Sequence, residues 1–100
     1  MTNLVLLGTY CVMAFCPCRK CCQAQNGVCA NGHIPTQGYT VGDTRKFPFG
    51  TRLWIEGIGW RTVEDRMAKR HRGNKLDVYY RKHQDAKQHG VQQLKVWQQK

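Results

Sequence analysis

The chemistry open to this chain is bounded by its six carboxylates: Asp43, Glu56, Glu64, Asp65, Asp77 and Asp85. Three of them are candidates for a site. Asp77 stands in a run, Lys75 to Tyr80, that alternates as a strand does, with Leu76, Val78 and Tyr80 on one side and Asp77 and Tyr79 on the other. A carboxyl among aromatic side chains such as Tyr79 has its neutral form favoured, which a proton donor needs. The position equally suits an ordinary exposed strand aspartate. Asp65 could set the charge state of Asp77, since two carboxylates sharing a site push one pKa up; beside Arg66 and Arg61 it also suits an ion pair. Asp43 either holds a neighbour in place or marks a turn before Phe47-Pro48. Glu56 and Glu64 alternate out of phase with the apolar positions and are expected in solvent.

The cysteines form a second group. Cys11 lies in an apolar run, Cys16, Cys18, Cys21 and Cys22 crowd together, and Cys29 follows. Cys16, Cys18, Cys21 and Cys29, or Cys22 in place of one, could hold a structural zinc, which takes four soft or imidazole ligands in a tetrahedron. The alternative is disulfides that pin residues 16–29. Either way the role is structural rather than catalytic. Spacing supports no His-plus-Cys nucleophile, and none of the four histidines sits in a zinc-protease motif. Catalysis by carboxyl groups would require no cofactor.

Lys69-Arg70-His71-Arg72 is a basic run, usually a solvated face, that could also contact an anionic polymer through Lys69, Arg70 and Arg72. Aromatic residues do not interleave with it as a single-strand binder requires. Trp54 and Trp60 are expected to pack in the core or hairpin. Tyrosines such as Tyr79 offer a flat apolar face with a polar edge, suited to binding.

The elements that must position these groups are short. Residues 3–15 read as a strand. Residues 16–38 read as loop, punctuated by Gly27, Gly32, Pro35 and Gly38. Tyr39 to Val41 makes a short strand and Phe47-Pro48-Phe49-Gly50 a turn. Thr51 to Glu56 and Trp60 to Glu64 are strands joined by a Gly57-Ile58-Gly59 hairpin. Met67 to Asn74 is a basic loop, Lys75 to Tyr80 a strand, Lys82 to His89 a short helix closed by Gly90, and Val91 to Trp97 a final strand. Many short strands, glycine turns and one helix predict a mainly β chain folded as a small closed barrel.

A length of 100 residues is one small domain, with no room for separate cofactor and substrate domains. The hydrophobic fraction of 41% supplies a packed core and argues against disorder. A formal charge of +10 implies an anionic partner: nucleic acid, wall polymer or membrane surface. No apolar run approaches the length of a membrane span. The apolar start lacks a preceding Lys or Arg, is broken by Gly8-Thr9-Tyr10 and has no small-residue cleavage site, so no signal peptide is expected. That expectation places synthesis in the cytoplasm.

Val41-Gly42-Asp43 leading to Phe47-Pro48-Phe49-Gly50-Thr51, then Val63-Glu64-Asp65-Arg66, then Gly73-Asn74-Lys75-Leu76-Asp77-Val78-Tyr79, and Ala86 to Gly90 before the last strand, run in a fixed order. The set resembles the 3D, or three-aspartate, domain found in membrane-bound lytic transglycosylase A, in small wall enzymes of spore-forming bacteria and in phage proteins. The resemblance covers most of the chain. It implies a six-stranded double-psi β-barrel with one short helix and a groove across one face. It implies cleavage of peptidoglycan glycan strands without water, with Asp77 as general acid/base assisted by Asp65 and Asp43, and with substrate contacts at Thr40, Tyr79 and Lys75. It implies action at the cell wall, in phage from an infected host. The chain departs from the family where Met67 to Arg72 replaces a glycine-rich loop, and Gly42 replaces the usual Ala. The rival is a non-enzymatic barrel whose basic loop grips nucleic acid or another anionic polymer.

Overall fold

A computed structural model describes residues 3–16, 32 and 34–100. They form β1 (Leu4–Phe15), β2 (Thr40–Asp43), β3 (Arg52–Ile55), β4 (Gly59–Arg66), β5 (Lys75–Tyr79), α1 (His83–His89) and β6 (Gln92–Gln99). The strands close into a barrel in the order β1-β5-β2-β4-β3-β6. The fold is mainly β with one short helix, as the strand pattern predicts. Two strand pairs are parallel, β1 with β5 and β2 with β4, and the remaining four are antiparallel.

Alternation decides which side chains fill the barrel. Val12, Val41, Leu53, Ile55, Val63, Leu76, Val78 and Val96 are all fully buried, and Tyr10 and Phe47 pack with them. β-Branched residues dominate this set because they suit a pleated, half-buried surface. The β3–β4 hairpin turns through Glu56, Gly57 and Ile58, with Ile58 N donating to Ile55 O at 2.9 Å. Gly57 and Gly59 have φ of 75° and 101°, where a side chain would be strained. Helix α1 lays Ala86 inward, and Gly90, at φ 63°, ends it.

Several boundaries differ from the expected ones. β2 runs on to Asp43 and β4 to Arg66, so two of the three aspartates that seemed to lie near turns sit within strands. β2 is too short for its alternation to be read from sequence alone.

Candidate active site

The site is built on β5, β2 and β4. Gly42 lies opposite Asp77 of β5 on one side and Asp65 of β4 on the other. Val41, one residue earlier, pairs with Val78 and Val63, all three in the core. Asp77, Gly42 and Asp65 therefore occupy one row on the outer face. The two aspartates are two strand spacings apart, about 10 Å between backbones. Gly42 brings no side chain between them. A Cβ there would lie 3.5 Å from Asp65 Cβ, in ordinary contact, so Asp65 leans over the space that the glycine leaves. Half-buried Met13 of β1 lies opposite Asp77 on its other side.

A β-bulge makes this row. Thr40 pairs with Thr62 and Val41 with Val63, but Gly42 pairs with Asp65, so Glu64 is an extra residue in β4. Without it Gly42 would face Glu64, and Asp65 would turn to the opposite face. Glu64 is expected in solvent and is instead buried. Its Oε1 accepts a 2.6 Å hydrogen bond from Thr40 Oγ1, which in turn accepts one from Thr36 N at 2.9 Å. Glu64 is the site residue that sequence reasoning misses; the run Val63-Glu64-Asp65 gives no sign of which residue is the extra one.

Electrostatics separate the two carboxyls. Burial first, and the charge of Asp65 second, push the Asp77 pKa from 3.8 up to about 7. Asp77 thus holds a proton through much of the range below neutrality. Asp65 Oδ1 accepts the backbone N–H of Arg66 at 2.8 Å.

Asp43 does not join them. It shares the inward side of β2 with Val41 and is 1% exposed. Its Oδ2 accepts from Phe47 N at 2.8 Å and its Oδ1 from Arg45 N at 3.2 Å. The Arg66 guanidinium pairs with the same carboxylate and stacks over the Phe49 ring, 4.0 Å from its centre. This is the turn-holding geometry of an aspartate that mimics a backbone turn. The Arg66 ion pair expected as one option for Asp65 is made by Asp43.

The expected substrate contacts fare differently. Thr40 is fully buried with its hydroxyl engaged, and Tyr79 is buried edge-to-face against Phe15 with centroids 5.3 Å apart. Both share the outer side of their strands with Gly42 and Asp77 but are covered rather than open. Lys75 is half-buried at the start of β5, opposite Cys11. Trp54 and Trp60 pack edge-to-face at 5.4 Å across the hairpin, on the outside of the barrel, with Arg52 over the Trp60 ring. Thr44, Arg45, Lys69, His71 and Arg72 line a shallow cavity of about 350 Å³ where the basic loop folds back on the end of β2.

Cys18, Cys21, Cys22 and Cys29 lie outside the described residues. Cys16 is buried, and its Sγ lies 3.4 Å from His83 Nδ1, a Cys–His approach across 67 positions that spacing does not reveal. Among the described residues no group of three or more His, Cys, Asp or Glu side chains could hold a metal ion. Among them, too, no helix is long and apolar enough to cross a membrane.

No family model matches the chain, and a search of curated proteins finds no match either.

Proposed function

We propose that the chain is a peptidoglycan-cleaving enzyme of the lytic transglycosylase type, a member of the three-aspartate domain family with Asp77 as its general acid/base. The observation that carries this reading is the carboxyl of Asp77, raised to about 7 by burial and by the charge of Asp65, which stands across Gly42 from it. The closed barrel with two parallel strand pairs is compatible with a double-psi connectivity.

The chemistry needs one group that first gives and then takes a proton. Asp77, neutral when substrate binds, donates to the glycosidic oxygen as the bond to the anomeric carbon breaks. The resulting carboxylate then accepts the proton of a hydroxyl on the same sugar, whose oxygen closes on the anomeric carbon and leaves an anhydro end. A pKa near the working pH serves both halves. Asp65 assists by keeping the proton on Asp77 before the bond breaks and by stabilising the positive charge that develops on the ring.

The test is mass spectrometry of purified peptidoglycan after incubation with the wild type and Asp77→Asn. Anhydro-ended fragments from the wild type and their absence with the variant support the reading. Intact peptidoglycan with the folded wild type defeats it. A second reading rests on the cation-lined cavity at Lys69, His71 and Arg72: a basic barrel that binds nucleic acid or another anionic polymer without cleaving it. Tight, salt-sensitive binding to such a polymer with no glycan cleavage selects it.

A further inference from the structure

Arg61 is out of place in this barrel. It pairs with Leu53 and lies two residues before Val63, both fully buried, so it belongs to the inward side of β4. Its Nη1 donates to Trp60 O at 2.7 Å. Its Nε is buried and has no hydrogen-bond partner. Among the described residues no carboxylate pairs with it. Partial burial pushes the Arg61 pKa below its ordinary value, and neighbouring Tyr80 opposes the shift. Arg61 is half-buried as a whole, and a buried donor such as its Nε normally has an acceptor.

The guanidinium borders a cavity of about 490 Å³, whose lining includes Thr36, Gln37, Gly38, Tyr80 and Arg81. Among the described residues no acid lines it, so two arginines border one space without a counter-charge. The walls are fixed in advance. Gln37 Oε1 accepts from Arg81 N at 2.9 Å, tying the 36–39 turn to the end of β5. Thr36 O accepts from Tyr39 N and Thr40 N, at 3.1 and 3.0 Å. Tyr80 OH lies 3.2 Å from His89 Nδ1, and His89 Nε2 lies 3.1 Å from Val12 O. The carbonyl of Val12 can only accept, so Nε2 is the donor in that contact.

We propose that Arg61 and Arg81 form a binding pocket for a small oxyanion, the carboxylate or phosphate group of a larger ligand. With Nη1 held by Trp60, the edge made by Nε and Nη2 is the one left for two acceptor oxygens, the fork that suits carboxylate and phosphate alike. Nε is closed to solvent when the pocket is empty. Binding requires the terminal torsions to turn so that Nε faces the cavity, which works against the Trp60 bond. Arg81 closes on the anion from the exposed side. The pocket stands apart from the Asp65–Asp77 row and does not depend on glycan cleavage.

The test uses inorganic phosphate and acetate as probes, with chloride at matched ionic strength as control. The readout is the Arg61 Nε–H resonance in nitrogen-edited NMR. A saturable shift with phosphate or acetate, and none with chloride, is the expected result. Phosphate that gains affinity as its second proton leaves near pH 7, with acetate indifferent, identifies a phosphate site; acetate binding equal to or tighter than phosphate identifies a carboxylate site. Arg81→Gln, an exposed change that leaves the fold intact, should weaken binding at least tenfold. Arg61→Gln should abolish it, and retention of the wild-type spectrum elsewhere establishes that this variant is folded. No saturable shift with either probe, or undiminished binding in a folded Arg61→Gln or Arg81→Gln protein, overturns the proposal.

Discussion

Replacing Asp77 by Asn should make the barrel more stable above neutral pH while removing its proposed chemistry. Asp77 titrates at about 7 in the folded chain against 3.8 for a free carboxyl. The folded state therefore binds this proton more tightly than the unfolded state does. That advantage is complete below pH 3.8 and is lost progressively as pH climbs to about 7. A gap of ~3 pH units at ~1.4 kcal/mol each amounts to ~4 kcal/mol. Asp77 keeps part of its surface in water, and screening trims the effect to ~2 kcal/mol. Asn carries no such charge, so Asp77→Asn should match the wild type near pH 4 and exceed it by ~2 kcal/mol at pH 8. Urea unfolding at half-unit steps from pH 4 to pH 8 measures the difference, and subtracting the variant cancels the other titrating groups. Parallel curves for the two proteins would refute the reasoning, because they would mean that Asp77 ionises as freely folded as unfolded. A variant that is less stable at pH 8 would show that the carboxylate is held by hydrogen bonds that outweigh its burial.

Asp65→Asn removes the second cause of the Asp77 shift but not the first. The Asp77 pKa, read by carboxyl carbon NMR, should fall from about 7 yet stay above 3.8, and the pH optimum of glycan cleavage should move down with it. Gly42→Ala should fold, since the added Cβ meets Asp65 at ordinary contact distance; by adding an apolar group beside the carboxyls it should raise the Asp77 pKa further in the same NMR measurement. Asp43→Ala breaks the Arg66 pair and leaves the Phe47 and Arg45 amides unanswered, so the urea midpoint should drop by the equivalent of ~3–5 kcal/mol. Neutralising Lys69, Arg70 and Arg72 together to Gln should lower the slope of log affinity against log salt by ~3 with duplex DNA as the probe polymer.

What was legible in the sequence followed from alternation. Leu76 and Val78 flank Asp77, and no packing of that strand could bury both without turning Asp77 outward. The Gly57-Ile58-Gly59 hairpin was legible for a similar reason, since glycines at both ends permit backbone angles that other residues resist. The bulge at Glu64 was not, because a register shift depends on the partner strand and leaves no mark in local periodicity. It altered two assignments, burying Glu64 and carrying Asp65 onto the face of Asp77. That Asp43 holds the backbone at Arg45 and Phe47 was among the roles its position before Phe47-Pro48 offered; that it lies within β2 was not legible, because β2 is short. Once the strand reaches Asp43, its parity with Val41 sends it inward. The approach of Cys16 to His83 and the burial of Arg61 Nε are tertiary facts that no spacing rule encodes.

The placement of β1 governs how the chain can be assembled. Leu4 of β1 lies opposite Gln99 of β6, and Cys11 to Phe15 lie beside Lys75 to Tyr79 of β5. Neither partner exists when β1 leaves the ribosome. At ~5–20 residues per second, the stretch from Phe15 to the start of β6 takes ~4–15 s to synthesise, and throughout it β1 has no partner on its β6 edge. Its Leu4-Val5-Leu6-Leu7 run is exposed for that interval, a template for pairing with another copy. The β3–β4 hairpin, a local contact, can form early, but barrel closure waits on the most distant contacts in the chain, so folding is slow for so small a protein. The same arrangement makes β6 indispensable, for without it β1 and β3 would both become open edges.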